Sequence, residues 1–589
     1  MIQSLQNLLS ERLQSLGISD ISVQVIVTDD PSHGDYATNI AFVLAKKLQV
    51  SPMEAASILA NNLASDMPPI LSQVEVAKPG FLNMRLSTEF LLEQLESRLF
   101  TSELKILSAA FANQKIMIEF TDPNPFKEFH IGHLYSNIVG ESISRLLEAV
   151  GAEVKRVNYQ GDVGLHVAKS VWGMQQLKAE MPEAASALSE KAKFLGKAYA
   201  LGSTKYEEDL PAGIQVSAKE EITELNKQIY DKSNPEVMEL YKTGKQWSLD
   251  YFETIYQRLG TTFWHYYFES EAGPVGVQLV KEYLDKGVFE QSNGAVVFPG
   301  EKYGLHTRVF INSLGLPTYE AKELGLAPTK YKDYAYDLSI IITGNEINDY
   351  FKVLIKALTV INPNLGQKTK HLSHGMVRLP EGKMSSRTGK VVTGEWLLDE
   401  AVERAGSLEQ RAESREEVYS PPSALRLPRL AEMVGVGAIK WALLRSGIGK
   451  DVEFSFDDSI SFEGNSGPYL QYSYVRSQSV VRKAQKQGIV ALANLSALSV
   501  EPASEERQLL VYLTRYNDVI VEAAERYSPN IVTTYLFELA KLFNLFYQKY
   551  PILKEEGILR DFRLGLTKAV GITIKNGLTL LGIKTPERM

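Results

Sequence analysis

The stretch IEFTDPNPFKEFHIGHLYSNIVGESISRLLEAVG, Ile118 to Gly151, reads as a strand end, a turn-rich loop and a long helix. Just upstream, KIMIEF (Lys115 to Phe120) is short and mostly apolar, as a buried parallel strand requires. SNIVGESISRLLEAV carries an amphipathic helical pattern that Gly151 ends, and AEVKRVNY supplies the next strand. Strand, loop, helix and strand in that order form the repeating unit of a doubly wound sheet. DLSIIITG, Asp337 to Gly344, resembles another central strand of the same sheet.

Around this core the chain divides. At 589 residues it exceeds one hydrophobic core and predicts several domains. Residues 1–108 read as an α+β module. Leu5, Leu9, Leu13 and Leu16 lie at helical spacing, ISVQVIV (Ile21 to Val27) alternates, and the turn-rich DDPSHGDYATN leads into the helical NIAFVLAKKL. The alternating VEVAKPGFLNMRL and the helical STEFLLEQLESRLF complete the module. Within the central segment, 109–400, two insertions are expected near 175–245 and 268–311, the second containing the strand-like GAVVFPGEKYG. LEQRAESREEVYSPPSALRLP, Leu408 to Pro428, reads as a charged and then proline-rich connection. Nearly everything beyond it has apolar residues recurring at three and four, so 401–589 predicts an all-α bundle. ERQLLVYLTRYNDVIVEAAERY is one of its helical runs.

Composition excludes several classes of function. A hydrophobic content of 44% and a charged content of 23% are those of an ordinary soluble globular chain. The net charge of −8 argues against a surface that coats nucleic acid throughout, though not against a local basic face. With no cysteine, disulfides and Cys-based metal sites are excluded, and any metal would rest on eight scattered histidines and carboxylates. The N-terminus has no signal-peptide pattern and no apolar run reaches membrane-span length, so a cytoplasmic protein is expected.

Two segments carry chemistry. His130-Ile131-Gly132-His133 stands after a strand at the mouth of a helix, where free N–H groups and the helix dipole favour phosphate. Two imidazoles one turn apart can donate to phosphoryl oxygens, and Gly132 clears space for a base against the backbone. The same pair also suits a purely structural helix start or a metal, so the tetrapeptide by itself decides little. Lys383-Met384-Ser385-Ser386-Arg387, within LPEGKMSSRTGK, has the composition of a loop that closes over polyphosphate, with Lys383 as a point charge on pyrophosphate. Alone it reads far more readily as a solvated basic turn. Both motifs in this order, after an early and a late strand, resemble the signatures of class I aminoacyl-tRNA synthetases.

The flanking residues resemble the arginyl-tRNA synthetases. That resemblance rests on the quoted stretch together with GLPTYEAKELGLA, GPYLQYSYVRS, HGDYATNIA and the closing LLGIKTPERM, and covers nearly the whole chain. It implies a Rossmann-type catalytic domain with insertions, an N-terminal tRNA-contacting domain and a C-terminal helical anticodon-binding domain. Its activity would be arginine–tRNA ligation: ATP-dependent formation of arginyl-adenylate, then transfer to the tRNA 3′ end. By that resemblance Lys127, His130, His133 and Lys383 are catalytic. Gly132, Met384, Ser385, Ser386 and Arg387 join His130, His133 and Lys383 in binding ATP. Glu119, Tyr319 and Glu323 match positions holding the substrate guanidinium, Asn124 one holding the α-amino group, with Asn345 or Glu346 assisting. A planar guanidinium fork suits facing carboxylates, which a compact ammonium cannot span. The chain departs from the family pattern in three places. Ser386 replaces the usual second lysine, leaving Lys127 or Arg387 to compensate; Glu323 stands where many relatives have Asp; Tyr135 stands where arginine is frequent.

From Asn465 to Val500 there is no acidic residue, while Tyr469, Tyr472, Tyr474, Arg476, Arg482, Lys483 and Lys486 supply aromatic rings and positive charge. Tyr469, Tyr472, Arg476 and Arg482 are the candidates for tRNA contact, through phosphates and unpaired bases. ATP is expected as substrate, with Mg²⁺ bound mainly through its phosphates and no structural metal. Expected partners are tRNA, arginine and ATP, with no membrane and a monomeric chain. The resemblance further implies that activation requires bound tRNA; no editing domain is expected. A catalytically silent tRNA-binding paralogue is the alternative, against which the four retained catalytic residues argue. A small nucleotidyltransferase would leave the C-terminal bundle unexplained, and a sister synthetase for another amino acid would not call for Glu119 and Glu323.

Overall fold

A computed structural model describes residues 1–28, 30–100, 110–208, 217–379, 392–413, 426–489 and 500–589. The N-terminal module comprises α1 (Ile2–Ser15), β1 (Val25–Val27), β2 (Tyr36–Thr38), α2 (Ile40–Leu48), α3 (Pro52–Ser65), β3 (Leu71–Ala77), β4 (Phe81–Leu86) and α4 (Thr88–Phe100). Its strands form an antiparallel sheet in the order β1-β2-β4-β3. Leu5, Leu9 and Leu13 are buried, as their spacing requires. ISVQVIV yields a shorter strand than its alternation suggests: only Val25–Val27 pairs, because its neighbour β2 is itself three residues long.

The central unit contains β5 (Lys115–Glu119), α5 (Ile131–Ala149), β6 (Glu153–Gln160), α6 (Leu165–Gln176), α7 (Leu188–Glu207), α8 (Ala218–Asp231), α9 (Pro235–Leu259) and β7 (His265–Phe268). There follow α10 (Glu269–Asp285), β8 (Glu290–Ser292), β9 (Ala295–Phe298), β10 (Arg308–Ile311), α11 (Tyr319–Asp333), β11 (Leu338–Gly344), α12 (Asn348–Ile361), α13 (Pro363–Lys368) and β12 (Thr369–His374). Its sheet is five-stranded and parallel throughout, in the order β12-β11-β5-β6-β7. β5 is central, with Ile116, Met117, Ile118 and Glu119 all buried. Winding runs one way from β5 to β7 and the other way from β11 to β12, so the switch point falls between β5 and β11, where such sheets bind ligands.

α6, α7, α8 and the first half of α9 bury their own cluster, with Val167, Trp172, Phe194, Ile222 and Tyr241 among its members. Local signals mark these ends: a Ser217–Glu220 capping box starts α8, and Asn234 caps α9 ahead of Pro235. The second half of α9 sends Phe252, Ile255 and Tyr256 into the main core instead. β8, β9 and β10 form a small antiparallel sheet, and α10 packs lengthwise on α11.

Among the described residues the remaining regular structure is helical apart from β13 (Val377–Arg378), which pairs in parallel with β14 (Val452–Glu453). The helices are α14 (Gly394–Glu413), α15 (Arg426–Leu444), α16 (Phe456–Ile460), α17 (Gly467–Lys486), α18 (Ser504–Thr514), α19 (Tyr516–Glu525), α20 (Pro529–Lys549) and α21 (Gly557–Leu580). The connection expected at Leu408–Pro428 is shorter than composition suggested, since α14 runs through Glu413 and α15 begins at Arg426; helix-forming Gln and Glu residues extend the first helix. ERQLLVYLTRYNDVIVEAAERY reads as one helix but forms two. At Arg515 the N–H turns to Tyr512 O at 3.2 Å, re-aiming α19 without any glycine or proline. Among the described residues no helix is long and apolar enough to cross a membrane.

Candidate active site

A cavity of about 460 Å³ opens at the carboxyl ends of β5, β11 and β12. Thr121, Asp122, Asn124, His130, Gly132, His133, Gly344, Glu346, His374, Met376 and Val392 are among its lining residues. His130 is the N-cap of α5. Its Nδ1 accepts from the N–H groups of Gly132 (3.1 Å) and His133 (3.4 Å), as an Asn or Ser cap does. An Nδ1 lone pair committed to the backbone leaves the ring proton of the neutral imidazole on Nε2, so His130 presents a donor. Burial, and secondly the charge of Lys127, bring its pKa down to about 4. His133 is held further down by burial, then by His130 and Lys127. The two rings stack with centroids 3.5 Å apart and planes 23° apart, an arrangement that two charged imidazoles would resist. Both are therefore neutral donors near pH 7.

Lys127 is held above this start, its Nζ 5.0 Å from the Tyr199 ring of α7. The chain returns to the same place after β13: Ile131 N–H donates to Val392 O (3.3 Å) and Gly394 N–H to Phe129 O (2.7 Å). Met376, Val377 and Val392 thus line the cavity on either side of the second motif. Lys383, Met384, Ser385, Ser386 and Arg387 lie outside the described residues.

Behind Asn124 lies a group of acids. Glu119 and Glu323 are buried, and Lys330 Nζ donates to Glu119 Oε2 at 2.6 Å. Burial, then the neighbouring Glu119, raise Glu323 well above the usual carboxylate range, and Asp122 is raised for the same two reasons. Tyr319 begins α11 and is 56% exposed, its ring 5.0 Å from Lys322 Nζ, so this pair shares a helix face but not an environment. Glu346 lines the cavity, whereas Asn345, in the same short turn, is half-buried beside it. Glu119, Glu323 and Tyr319 are not among the residues lining this cavity, whereas Asp122 and Asn124 are.

Sequence reading passed over Asp122, Lys330 and the buried pair Lys322–Glu269 (2.6 Å). Lys330 was accessible to it: Tyr319, Glu323 and Lys330 are four and seven apart, one helix face. Asp122 and Glu269 carry no such periodicity.

On the bundle, Tyr469, Tyr472 and Arg476 come together. The Arg476 guanidinium lies 4.8 Å from the Tyr472 ring and 5.1 Å from Tyr547, and donates to Asn544 Oδ1 at 2.6 Å. Asn544 in turn donates to Tyr469 Oη at 2.8 Å. Tyr472 and Tyr547 are both exposed, and Tyr547 is a contributor the sequence did not point to. Arg482 lies apart, bonded to Glu587 O at 2.9 Å.

A parallel sheet whose switch point meets a His-x-Gly-His helix start, with an α-helical domain packed on that helix, is the architecture of a class I aminoacyl-tRNA synthetase. Comparison with known proteins narrows the class. Residues 94–456 match the family model described as "tRNA synthetases class I (R), catalytic domain", 470–589 the DALR anticodon binding domain, and 3–86 the arginyl tRNA synthetase N terminal domain. The chain is 31% identical over 573 residues, 94% of each protein, to the arginine–tRNA ligase of Porphyromonas gingivalis. To that of Flavobacterium psychrophilum it is 32% identical over 548 residues, 90% of this chain and 89% of the other. Among solved structures, the arginyl-tRNA synthetases of Thermus thermophilus (TM-score 0.77, 24% identity, 100% of both chains) and Plasmodium falciparum (TM-score 0.78, 20% identity, 100% and 99%) share its fold. The chain belongs to the arginyl-tRNA synthetase family.

Proposed function

We propose that this chain is an arginine–tRNA ligase that works through the residues gathered at the switch point. The observation that carries the reading is His130 at the cavity as the N-cap of α5, its Nδ1 accepting the Gly132 N–H, in a chain of this family. The arginine carboxylate attacks the ATP α-phosphate, a P–O bond forms, the α–β bridge breaks, and pyrophosphate leaves. Negative charge building on the α-phosphate meets the donors of His130 and His133 and the dipole of α5. Lys127 and, from the second motif, Lys383 face the pyrophosphate; Gly132, Met384, Ser385, Ser386 and Arg387 complete the nucleotide site. A terminal adenosine hydroxyl of the tRNA then attacks the adenylate carbonyl and AMP departs.

Glu119 and Glu323 hold the guanidinium with Tyr319, and Asn124 the α-amino group, assisted by Asn345 or Glu346. Mg²⁺ would be bound mainly through the ATP phosphates, neutralising them. Tyr469, Tyr472, Arg476 and Arg482 are the tRNA-contacting residues of the bundle, and the N-terminal module is a second tRNA contact. We place the enzyme in the cytoplasm, as a monomer. The reading as a silent paralogue gains nothing from relatives that are named as ligases.

The test is charging of tRNA with each amino acid in turn, with ATP and Mg²⁺. Arginine alone should be esterified. Charging of another amino acid would overturn the pocket assignment, and binding of tRNA with no charging would favour the silent paralogue.

A further inference from the structure

The wall behind Asn124 holds more negative charge than positive. Glu119 at the end of β5, Asp122 in the following loop and Glu323 on α11 converge there, and Lys330 is committed to Glu119 at 2.6 Å with both side chains 2% exposed. Among the described residues the other groups facing them bring no unpaired cation: Arg308, 5.5 Å from the Tyr350 ring, is paired with Glu320 at 3.1 Å. Tyr159 from β6, Tyr350 from α12 and Tyr336 before β11 are phenols held neutral by burial. Glu269 of α10 is already paired with Lys322. Asp122 Oδ1 accepts the Tyr159 N–H at 2.8 Å, which leaves its charge uncompensated. Among the described residues the cluster thus sets three carboxylates against one ammonium. Tyr159 Oη, buried against the same acids, has no hydrogen-bond partner.

Buried carboxylates without a cation take up protons instead. We propose that the Glu119–Asp122–Glu323 cluster is a cation-for-proton exchange site, holding a proton on Glu323 or Asp122 until the guanidinium of arginine displaces it to solvent. Lys330 is a positioning residue: it fixes one oxygen of Glu119 and neutralises one charge, so two negative charges remain and one proton or one guanidinium can offset one of them. Tyr159 Oη offers that guanidinium a neutral acceptor. The inference rests on the reading of Glu119 and Glu323 as guanidinium-holding residues. Below the pH at which the empty cluster ionises, substrate competes with a proton, so the KM for arginine rises about tenfold per pH unit while this group leaves kcat unchanged.

Calorimetric titration of the full chain with L-arginine, in phosphate and in Tris at pH 6.5, 7.5 and 8.5, counts the protons. The wild-type chain should release about one proton per arginine at one or more of these values. Asp122→Asn keeps an acceptor for the Tyr159 N–H and removes the repulsion that retains the proton, so release should fall while arginine still binds. Lys330→Met should push the count above one and raise KM with kcat little changed, which a merely structural lysine would not do. If arginine binds and Glu323→Gln weakens it, yet the heat is the same in both buffers at every pH, the exchange is refuted and the site assignment stands. If Glu119→Gln and Glu323→Gln both leave arginine affinity unchanged, the site assignment fails and takes the exchange with it.

Discussion

His130 combines two roles in one imidazole, and they can be separated. Nδ1 caps α5 and Nε2–H faces the cavity. His130→Asn should preserve the cap and lose the donor, whereas His130→Ala loses both, at about 1 kcal/mol for the cap. Amide exchange at Gly132 and His133 should therefore quicken in the alanine variant only, while arginine-dependent ATP–pyrophosphate exchange drops by about 10²–10³ in each. Equal exchange rates in the two variants would remove the capping role. Glu323 supports a second prediction, through pH. Burial raises its folded pKa above the unfolded value, so the stability it contributes is intact at low pH and is lost as pH rises toward the folded value. Glu323→Gln escapes that loss. Its melting temperature relative to wild type, measured without arginine, should climb from pH 5 to pH 8; a flat difference would mean the carboxylate bears no burial penalty.

At the scale of elements, the arginine-facing helix is placed by small residues. α10 and α11 cross so closely that a Cβ on Gly276 would lie 1.7 Å from Ala321 O, and one on Gly325 2.4 Å from Gly276 N. The crossing sets the depth at which α11 presents Glu323 and Lys330 to β5. Gly276→Val should force the helices apart, costing about 1–3 kcal/mol, and should raise the KM for arginine more than that for ATP. Unchanged arginine KM alongside lowered stability would show that α11 keeps its position by other contacts. α5 carries a related lesson. Its sequence reads amphipathic, yet Asn137, Glu141, Ser142 and Ser144 are buried as well. Its polar stripe is met largely from elsewhere: Asn137 by Thr121 and Thr261, Ser142 by Leu580 O, and Glu141 by Arg156 as well as by Arg145 of the same helix. The period of 3.6 found the helix, but it could not show that a second layer of protein would cover the polar face.

At the scale of the molecule, the turn HGDYATN acquires a physical role. Asp35 receives two hydrogen bonds from Arg507 of α18, both 2.7 Å, and also accepts the Leu86 N–H, so one carboxylate ties the N-terminal module to the bundle. Gly34 allows the approach, with φ of +83° and Met84 O only 2.7 Å from where a Cβ would stand. Arg507→Met leaves Asp35 buried without its cation and should cost about 1.5–3 kcal/mol at that contact. Faster amide exchange across β2 and β4, with the KM values for ATP and arginine unaltered, is the expected result. No change in exchange would mean the module docks through its apolar contacts alone.

The sequence by itself determined a great deal here. Apolar runs at KIMIEF and DLSIIITG, the helix signal after His130, the leucine spacing at the N-terminus and the helical periodicity beyond α15 are local patterns, and local patterns survive without tertiary information. The same holds for Asn124, His130 and His133, which lie in the loop after a strand end or in the first turn of the following helix and so fall at the switch point once the sheet winds. Tertiary structure alone decided the rest. Lys330 meets Glu119 across 211 positions and Arg507 meets Asp35 across 472. The buried face of α5 takes its partners from β11, from the turn after α9 and from α21. Periodicity states which side of an element is apolar; the charge a pocket must hold depends on which distant side chains the packed elements bring within reach of one another, and on the water they exclude.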